Sequence, residues 1–290
     1  MKQKVDFFIV GAPKAGTTSL YFYLNEHPQI EMSSVKEPDY FSNKEMQTQN
    51  LYYKKQRIDT LKKYNALYSE KKNLVRGEAS VSYLYYNGVP KKIFEYNTKS
   101  KIIIMLRNPV ERAFSHYLMD KRLGYISENF ETIINQKYSD KKLNLFYQQY
   151  IELGKYTEQI KRYFDVFRSE NILFIDYDDF VSRTSQEIDK VYSFLNIDNS
   201  ATSQVNKIYN SYTNPNNKIV NYLYSFVFLR SLANYFFSAL IKEKILRLFF
   251  VHSEKPVLIK ESRNLLINYF SKDINNLSKL LNKDYTKWIK

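Results

Sequence analysis

The chain of 290 residues carries a net charge of +14, is 44% hydrophobic and contains no cysteine. Disulfides and thiolate metal sites are therefore excluded within it, and three dispersed histidines, His27, His116 and His252, predict no metal site. The basic balance favours an anionic partner, such as a nucleotide, an acidic glycan, nucleic acid or a membrane surface, without choosing among them. The apolar run that starts at Val5 is too short for a secretory signal, so a cytoplasmic location is expected.

Short apolar runs alternate with helical patterns along the chain. Four runs are predicted to be buried parallel strands: Val5–Val10, Asn73–Arg76, Lys101–Leu106 and Asn171–Ile175. Helical periodicity covers roughly Thr17–Glu26, Val110–Leu118, Tyr156–Phe167, Ser185–Leu195 and Leu265–Trp288. This alternation predicts an α/β fold with a central, mostly parallel sheet flanked by helices. Because no repeat and no Pro/Gly/Ser-rich linker divides the chain, residues 1–290 are expected to form one domain.

The segment Ile219–Phe250 does not fit this alternation. It is apolar and aromatic up to Ile241 and then basic over Lys242–Arg247, and its length would nearly span a bilayer. Arg230 in its middle makes a true span costly. Three interpretations stay open, namely core or dimer helices, a helix lying on a membrane, and a membrane span.

A phosphate-binding loop is predicted directly after the first strand. The strand ends at Gly11, a loop with Lys14 and Gly16 follows, and a helix starts at Thr17. Backbone N–H groups at a helix start bind phosphate, and a glycine lets the backbone approach it closely. The spacing Gly11-x4-Gly16 fits an ATP-binding loop, but Thr17 stands where that motif requires lysine. The lysine lies inside the loop instead, so the usual magnesium-bound triphosphate geometry is not expected.

The run Pro13–Leu20, with His27-Pro28 after the first helix, resembles the 5'-phosphosulfate loop of PAPS-dependent sulfotransferases. PAPS is 3'-phosphoadenosine 5'-phosphosulfate, and the resemblance is closest to the carbohydrate (heparan-sulfate-type) branch and its bacterial relatives. It implies PAPS as co-substrate, 3'-phosphoadenosine 5'-phosphate (PAP) as product, and no metal. It also implies that Lys14 contacts the bridging and sulfonyl oxygens. The implied donor-binding residues in this loop are Pro13, Lys14, Ala15, Gly16, Thr17, Thr18 and Ser19.

A second nucleotide element is predicted at the third strand. Arg107 stands at the carboxyl end of that strand, where α/β sheets bind ligands, and Pro109 is suited to a first helical turn. Ser115 lies about two turns along the helix, so its hydroxyl and the guanidinium could converge on one anion. The run Lys101–Tyr117 resembles the 3'-phosphate element of the family, which implies Arg107 and Ser115 as ligands.

The run Val35–Phe41 resembles the family segment that supplies the catalytic base, which implies Glu37 in that role. A sugar hydroxyl is a poor nucleophile and needs its proton removed as it attacks. Asp39 stands where the family frequently has histidine, so the polarity of this pocket differs from the family pattern.

Two further runs resemble segments near the cleft of the family. The run Arg76–Leu84 implies that Glu78 either orients Lys14 or binds the acceptor, and that Ser80 contacts the acceptor. Gly154-Lys155-Tyr156 implies Lys155 and Tyr156 near the cleft, with Lys155 as an acceptor contact and Tyr156 as a nucleotide contact. The run Asn206–Asn217 resembles the loop that closes over the nucleotide, although its polar residues suit any surface loop.

Together these features predict an enzyme that transfers a sulfonyl group from PAPS to a hydroxyl group, and the resemblance to the carbohydrate branch favours a glycan as the acceptor. One alternative is a nucleotide-dependent kinase, with Asp176 as its magnesium ligand. Another is a basic protein that binds a membrane surface or nucleic acid. Peripheral membrane contact through residues 219–250 is compatible with the sulfotransferase, whereas a nucleic-acid partner is not expected.

Overall fold

A computed structural model of the chain describes residues 3–53, 58–71, 73–198 and 256–290, and the backbone of 213–215 and 250–252. Its sheet has five strands, β1 Phe7–Gly11, β2 Ile30–Met32, β3 Val75–Ala79, β4 Lys101–Leu106 and β5 Ile172–Asp176. Their order is β2-β3-β1-β4-β5, and all four neighbouring pairs are parallel. The predicted α/β fold with a parallel sheet is therefore confirmed.

The middle of the sheet is covered on both faces. Phe7, Phe8, Ile9 and Val10 of β1 are completely buried, and their side chains point alternately to the two faces. Such doubly buried strands are continuous apolar runs, which is why β1, β4 and β5 could be predicted from sequence. The strand predicted at Asn73–Arg76 overlaps β3 only at Val75 and Arg76, because β3 continues through Gly77 and Glu78, which are not apolar. Strand β2 was not predicted, because it has only three residues and includes the charged Glu31, so it forms no continuous apolar run.

Helices fill the connections between the strands. Their bounds are α1 Thr17–Asn25, α2 Asn43–Thr48, α3 Leu61–Asn65, α4 Val89–Tyr96, α5 Pro109–Arg122, α6 Phe130–Ile134, α7 Leu143–Tyr150, α8 Tyr156–Phe164, α9 Tyr177–Ser182, α10 Thr184–Leu195 and α11 Lys260–Leu281. Helix α1 packs against β2, β3 and α10, and α11 packs against α5 and α8. Because the strands are parallel, the turns after β1, β3, β4 and β5 all lie at one edge of the sheet.

The C-terminal residues reach this same carboxyl edge. The side-chain amide of Asn108, directly after β4, donates to the carbonyl of Trp288 at 3.1 Å. The hydroxyl of Tyr285 donates to Asp176 at the end of β5 at 2.9 Å. The residues that follow α11 thereby support the edge on which the predicted site residues lie.

Two short strands, β6 Thr213–Pro215 and β7 Phe250–His252, pair antiparallel. Except for Phe250, the predicted segment Ile219–Phe250 lies outside the described residues, as does most of Asn206–Asn217. In the part of the chain that the structure describes, no helix is long and apolar enough to cross a membrane.

Candidate functional site

A cavity of about 980 Å³ opens at the carboxyl edge of the sheet. Its walls come from the loop after β1, the segment before α2, the end of β4 and one side of α5. The sequence-predicted residues that line it are Pro13, Lys14, Gly16, Thr17, Thr18, Ser19, Glu37, Arg107 and Ser115. The structure thus brings three separate sequence motifs to one cavity.

The loop after β1, residues 11–19, is called the donor loop below. Its N–H at Ala12 donates to the carbonyl of Met105 in β4 at 2.7 Å, which ties the loop to the neighbouring strand. Gly16 has φ 90°, and an added Cβ would lie 3.3 Å from the ring of Tyr177, so this position requires glycine. Helix α1 starts at the next residue, and the first N–H groups of a helix have no carbonyl partner within it. The loop therefore presents N–H donors and the positive end of a helix dipole to an anion.

Lys14 is the donor-loop residue whose pKa is shifted by its surroundings. Its Nζ lies 3.3 Å from the Sδ of Met119 on α5. Burial, together with the positive charges of Arg122 and Arg107, lowers the pKa of Lys14 to about 8, although the negative charges of Asp120 and Glu37 oppose this shift. The ammonium is therefore still cationic at neutral pH but is poorly compensated, which suits it to neutralise an incoming anion.

Arg107 joins the two predicted nucleotide elements. Its Nη1 donates to the carbonyl of Lys14 at 2.8 Å, and its guanidinium lies over the ring of Tyr177, 4.2 Å from the centroid. The carbonyl of Arg107 accepts from the hydroxyl of Tyr156 at 2.9 Å. Tyr156 is itself completely buried and does not line the cavity, so it contacts the arginine backbone rather than the space where a ligand would lie.

Glu37 lines the same cavity as this loop, and its charge acts on Lys14. Its φ is 58°, its N–H donates to the carbonyl of Ala79 at 2.9 Å, and its Oε1 lies 2.6 Å from Nζ of Lys36. The side chains of Lys36 and Glu37 are half-buried in the cavity wall. An ionised carboxylate held in a left-handed backbone conformation beside a cavity is suited to accept a proton from a bound hydroxyl.

Some predicted residues are not brought to the cavity. Glu78 and Ser80 are completely buried beneath its wall, where Oγ of Ser80 donates to Oε1 of Glu78 at 2.6 Å. Burial raises the pKa of Glu78 to about 7. Lys155 pairs with Glu152 at 3.1 Å outside the cavity, and Ala15 is buried behind it. In this geometry Glu78, Ser80 and Lys155 do not face the place where an acceptor would bind.

An aromatic wall was missed by sequence reasoning. Four of the tyrosines that line the cavity form this wall, namely Tyr53, Tyr85, Tyr86 and Tyr125. Behind them the buried carboxylate of Asp120 accepts from the hydroxyls of Tyr52 at 2.6 Å, Tyr53 at 2.9 Å and Tyr150 at 2.9 Å. Burial raises the pKa of Asp120 to about 6. The only signal in the sequence was an unusual number of tyrosines, 27 in all, which does not show where they gather.

Asp176, the magnesium ligand of the kinase interpretation, has other partners. It is almost completely buried, accepts from the hydroxyl of Tyr285 and forms an ion pair with Lys283. It does not line the cavity. A strand-end carboxylate in this state does not face a nucleotide bound at the donor loop, which counts against the kinase.

The domain has a parallel sheet, and one cavity at its carboxyl edge is lined by both the anion-binding helix start and the carboxylate of Glu37. This arrangement is suited to group transfer from a phosphorylated donor. Residues 4–231 match the family model of the sulfotransferase domain, so the chain belongs to the sulfotransferase family. The structure is similar over its full length to that of a sulfotransferase from Alicyclobacillus acidocaldarius, with a TM-score of 0.72 and 26% identity, and covers all of that chain.

Similar curated proteins come from several sulfotransferase types. Carbohydrate sulfotransferase 15 of Mus musculus is 26% identical over 66% of this chain and 43% of its own length. The bifunctional heparan sulfate N-deacetylase/N-sulfotransferase 4 of Mus musculus is 27% identical over 66% of this chain and 22% of its own length. The membrane-associated sulfotransferase kil1 of Dictyostelium discoideum is 34% identical over 39% of this chain and 22% of its own length. The chain thus spans less than half the length of these relatives.

Proposed function

We propose that the protein transfers a sulfonyl group from PAPS to a hydroxyl group of a glycan. The observation that carries this proposal is the hydrogen bond from Arg107 to the carbonyl of Lys14, in the wall of the cavity that Glu37 also lines. It makes one rigid unit of two elements that would hold opposite ends of a nucleotide with a 5'-phosphosulfate and a 3'-phosphate.

The donor would lie along this wall. The N–H groups and hydroxyls of Thr17, Thr18 and Ser19 at the start of α1 would bind the 5'-phosphate. Arg107 and Ser115 would bind the 3'-phosphate, with Tyr156 holding the Arg107 backbone in place. Binding energy gained at the 3'-phosphate would then align the sulfur, which lies at the other end of the donor.

The chemical step is an in-line transfer. Glu37 accepts the acceptor proton while the acceptor oxygen attacks sulfur, and the bond between sulfur and the bridging phosphate oxygen breaks. Negative charge grows on that oxygen as it leaves, and the ammonium of Lys14 stabilises it. The products are a sulfate ester, PAP and a protonated Glu37 that returns its proton to solvent.

The aromatic wall supports a glycan as the acceptor. The rings of Tyr53, Tyr85, Tyr86 and Tyr125 offer apolar faces to the C–H faces of sugars and carry hydroxyls at their tips. The relatives include proteins named as carbohydrate and heparan sulfate sulfotransferases. Lys36 and Arg122 add positive charge on the cavity wall, which suits an acidic glycan.

Transfer of radiolabelled sulfate from PAPS tests the proposal directly. The purified protein and Glu37→Gln are incubated with an undersulfated acidic polysaccharide, a neutral oligosaccharide and a simple phenol. We expect label in the polysaccharide with the wild type and almost none with Glu37→Gln. Label in the phenol alone would contradict the glycan acceptor. No transfer from PAPS to any acceptor, with phosphoryl transfer from ATP instead, would overturn the sulfotransfer reaction.

A further inference from the structure

The segment that carries Glu37 is held in an unfavourable backbone conformation. Glu37 and Asp39, on either side of Pro38, have φ of 58° and 51°. Residues other than glycine rarely adopt such angles, and they persist only where the surroundings fix them. Whatever anchors this segment therefore also sets where the Glu37 carboxylate points.

The anchors come from residues that follow β3. The N–H of Asp39 donates to Oγ of Ser80 at 3.0 Å, and the N–H of Phe41 donates to the hydroxyl of Tyr83 at 3.2 Å. Both hydroxyls therefore act as acceptors toward the segment. Since each hydroxyl has one hydrogen, that hydrogen must point to another partner.

Glu78 is that partner for the hydroxyl of Ser80, whose Oγ donates to Oε1 of Glu78 at 2.6 Å. The hydroxyl of Tyr64 donates to Oε2. Burial raises the pKa of Glu78 to about 7, and above that pH the ionised carboxylate only accepts hydrogen bonds. It then fixes the direction of the chain that runs from the N–H of Asp39 through the hydroxyl of Ser80 to Glu78.

We propose that Glu78 is a positioning residue that orients Glu37, and not an acceptor ligand. It is completely buried, does not line the cavity, and reaches the segment through the hydroxyl of Ser80. The inference rests on the proposed role of Glu37 as the base. A glutamine at position 78 would keep the shape but would replace one acceptor oxygen with an amide NH2, so the hydroxyl of Ser80 or that of Tyr64 would lose its acceptor.

The test compares Glu78→Gln, Ser80→Ala and the double variant with Glu187→Gln as the matched control. Glu187 on α10 is a buried carboxylate of similar exposure that pairs with Lys190 and does not line the cavity. The readouts are kcat, the KM of the acceptor, the Kd of PAP and the melting temperature, which shows whether each variant folds. Glu37→Gln is measured alongside.

We expect Glu78→Gln to lower kcat about tenfold, because misplacing a catalytic group without removing it costs less than losing it. The KM of the acceptor and the Kd of PAP stay near the wild-type values, and Glu187→Gln keeps its kcat. If Glu78 acts through Ser80, the double variant is about as slow as Glu78→Gln alone, since residues in one network are not additive.

Three results would overturn the inference. They are a normal kcat in Glu78→Gln while Glu37→Gln is inactive, losses from Glu78→Gln and Ser80→Ala that simply add, or a Ser80→Ala effect confined to the KM of the acceptor. A normal kcat in Glu37→Gln would instead refute the base assignment itself, so the two failures are distinguishable.

Discussion

The donor loop and the segment 35–41 face the same cavity, but different interactions hold them in place. The donor loop is fixed by backbone contacts, such as that from Ala12 to Met105, and by the helix that begins beside Gly16. The segment with Glu37 has a backbone contact with β3, from the N–H of Glu37 to the carbonyl of Ala79, and beyond it depends on the hydroxyls of Ser80 and Tyr83. We infer that substitutions of the buried residues that support segment 35–41, such as Ser80, leave donor binding nearly unchanged. The same substitutions should move the carboxylate of Glu37.

The donor loop and Arg107 together are called the donor wall below. The largest effect on turnover is expected there, from Lys14→Ala. Removing this ammonium takes away the charge that stabilises the leaving phosphate oxygen, so turnover should fall at least ~100-fold. Lys91→Ala is the matched control, because Lys91 is an exposed lysine paired with Glu95 on α4. Steady-state rates with saturating PAPS measure both variants. Turnover within a fewfold of wild type in Lys14→Ala would refute its assignment.

In the segment 35–41, Glu37→Gln should also reduce turnover by about 100-fold, which is the usual contribution of a general base. Affinity for PAP should stay nearly intact, because the donor loop does not depend on this side chain. Calorimetric titration with PAP and rate measurements on the same sample check both statements, with Glu95→Gln as the surface control. A Glu37→Gln protein that binds PAP poorly would show that segment 35–41 and the donor wall are not independent.

The pH dependence of the rate should report the charge of Lys14 in the donor loop. Because the pKa of Lys14 is lowered to about 8, the fraction of cationic Lys14 falls as the pH rises through that value. The kcat/KM for PAPS, which reports the free enzyme, should be level well below pH 8, fall to half near pH 8 and then fall about tenfold per unit well above it. Lys14→Arg keeps its charge, so it should be slower but lack this alkaline limb. The same limb in Lys14→Arg would assign it to another group.

The donor wall could be predicted from sequence because it is local. A buried strand, a loop with Lys14 and Gly16, and a helix start are contiguous in the chain, and Arg107 follows an equally clear strand. Glu78 could not be interpreted correctly, because its burial depends on Tyr64 and Tyr83 packing over it, and no local pattern shows that. The tyrosine wall was missed for the same reason. The extent of the single domain, the cytoplasmic location and membrane contact through residues 219–250 stay predictions.

The central claim is that the donor wall recognises a nucleotide by its 3'-phosphate. Calorimetric titration with PAP, ADP and magnesium-ATP, on the wild type and on Arg107→Ala, tests it most directly. We predict that the wild type prefers PAP to ADP, and that Arg107→Ala loses this preference while its weaker affinity for ADP changes less. Preference for magnesium-ATP, or equal affinity for PAP and ADP in the wild type, would contradict the account.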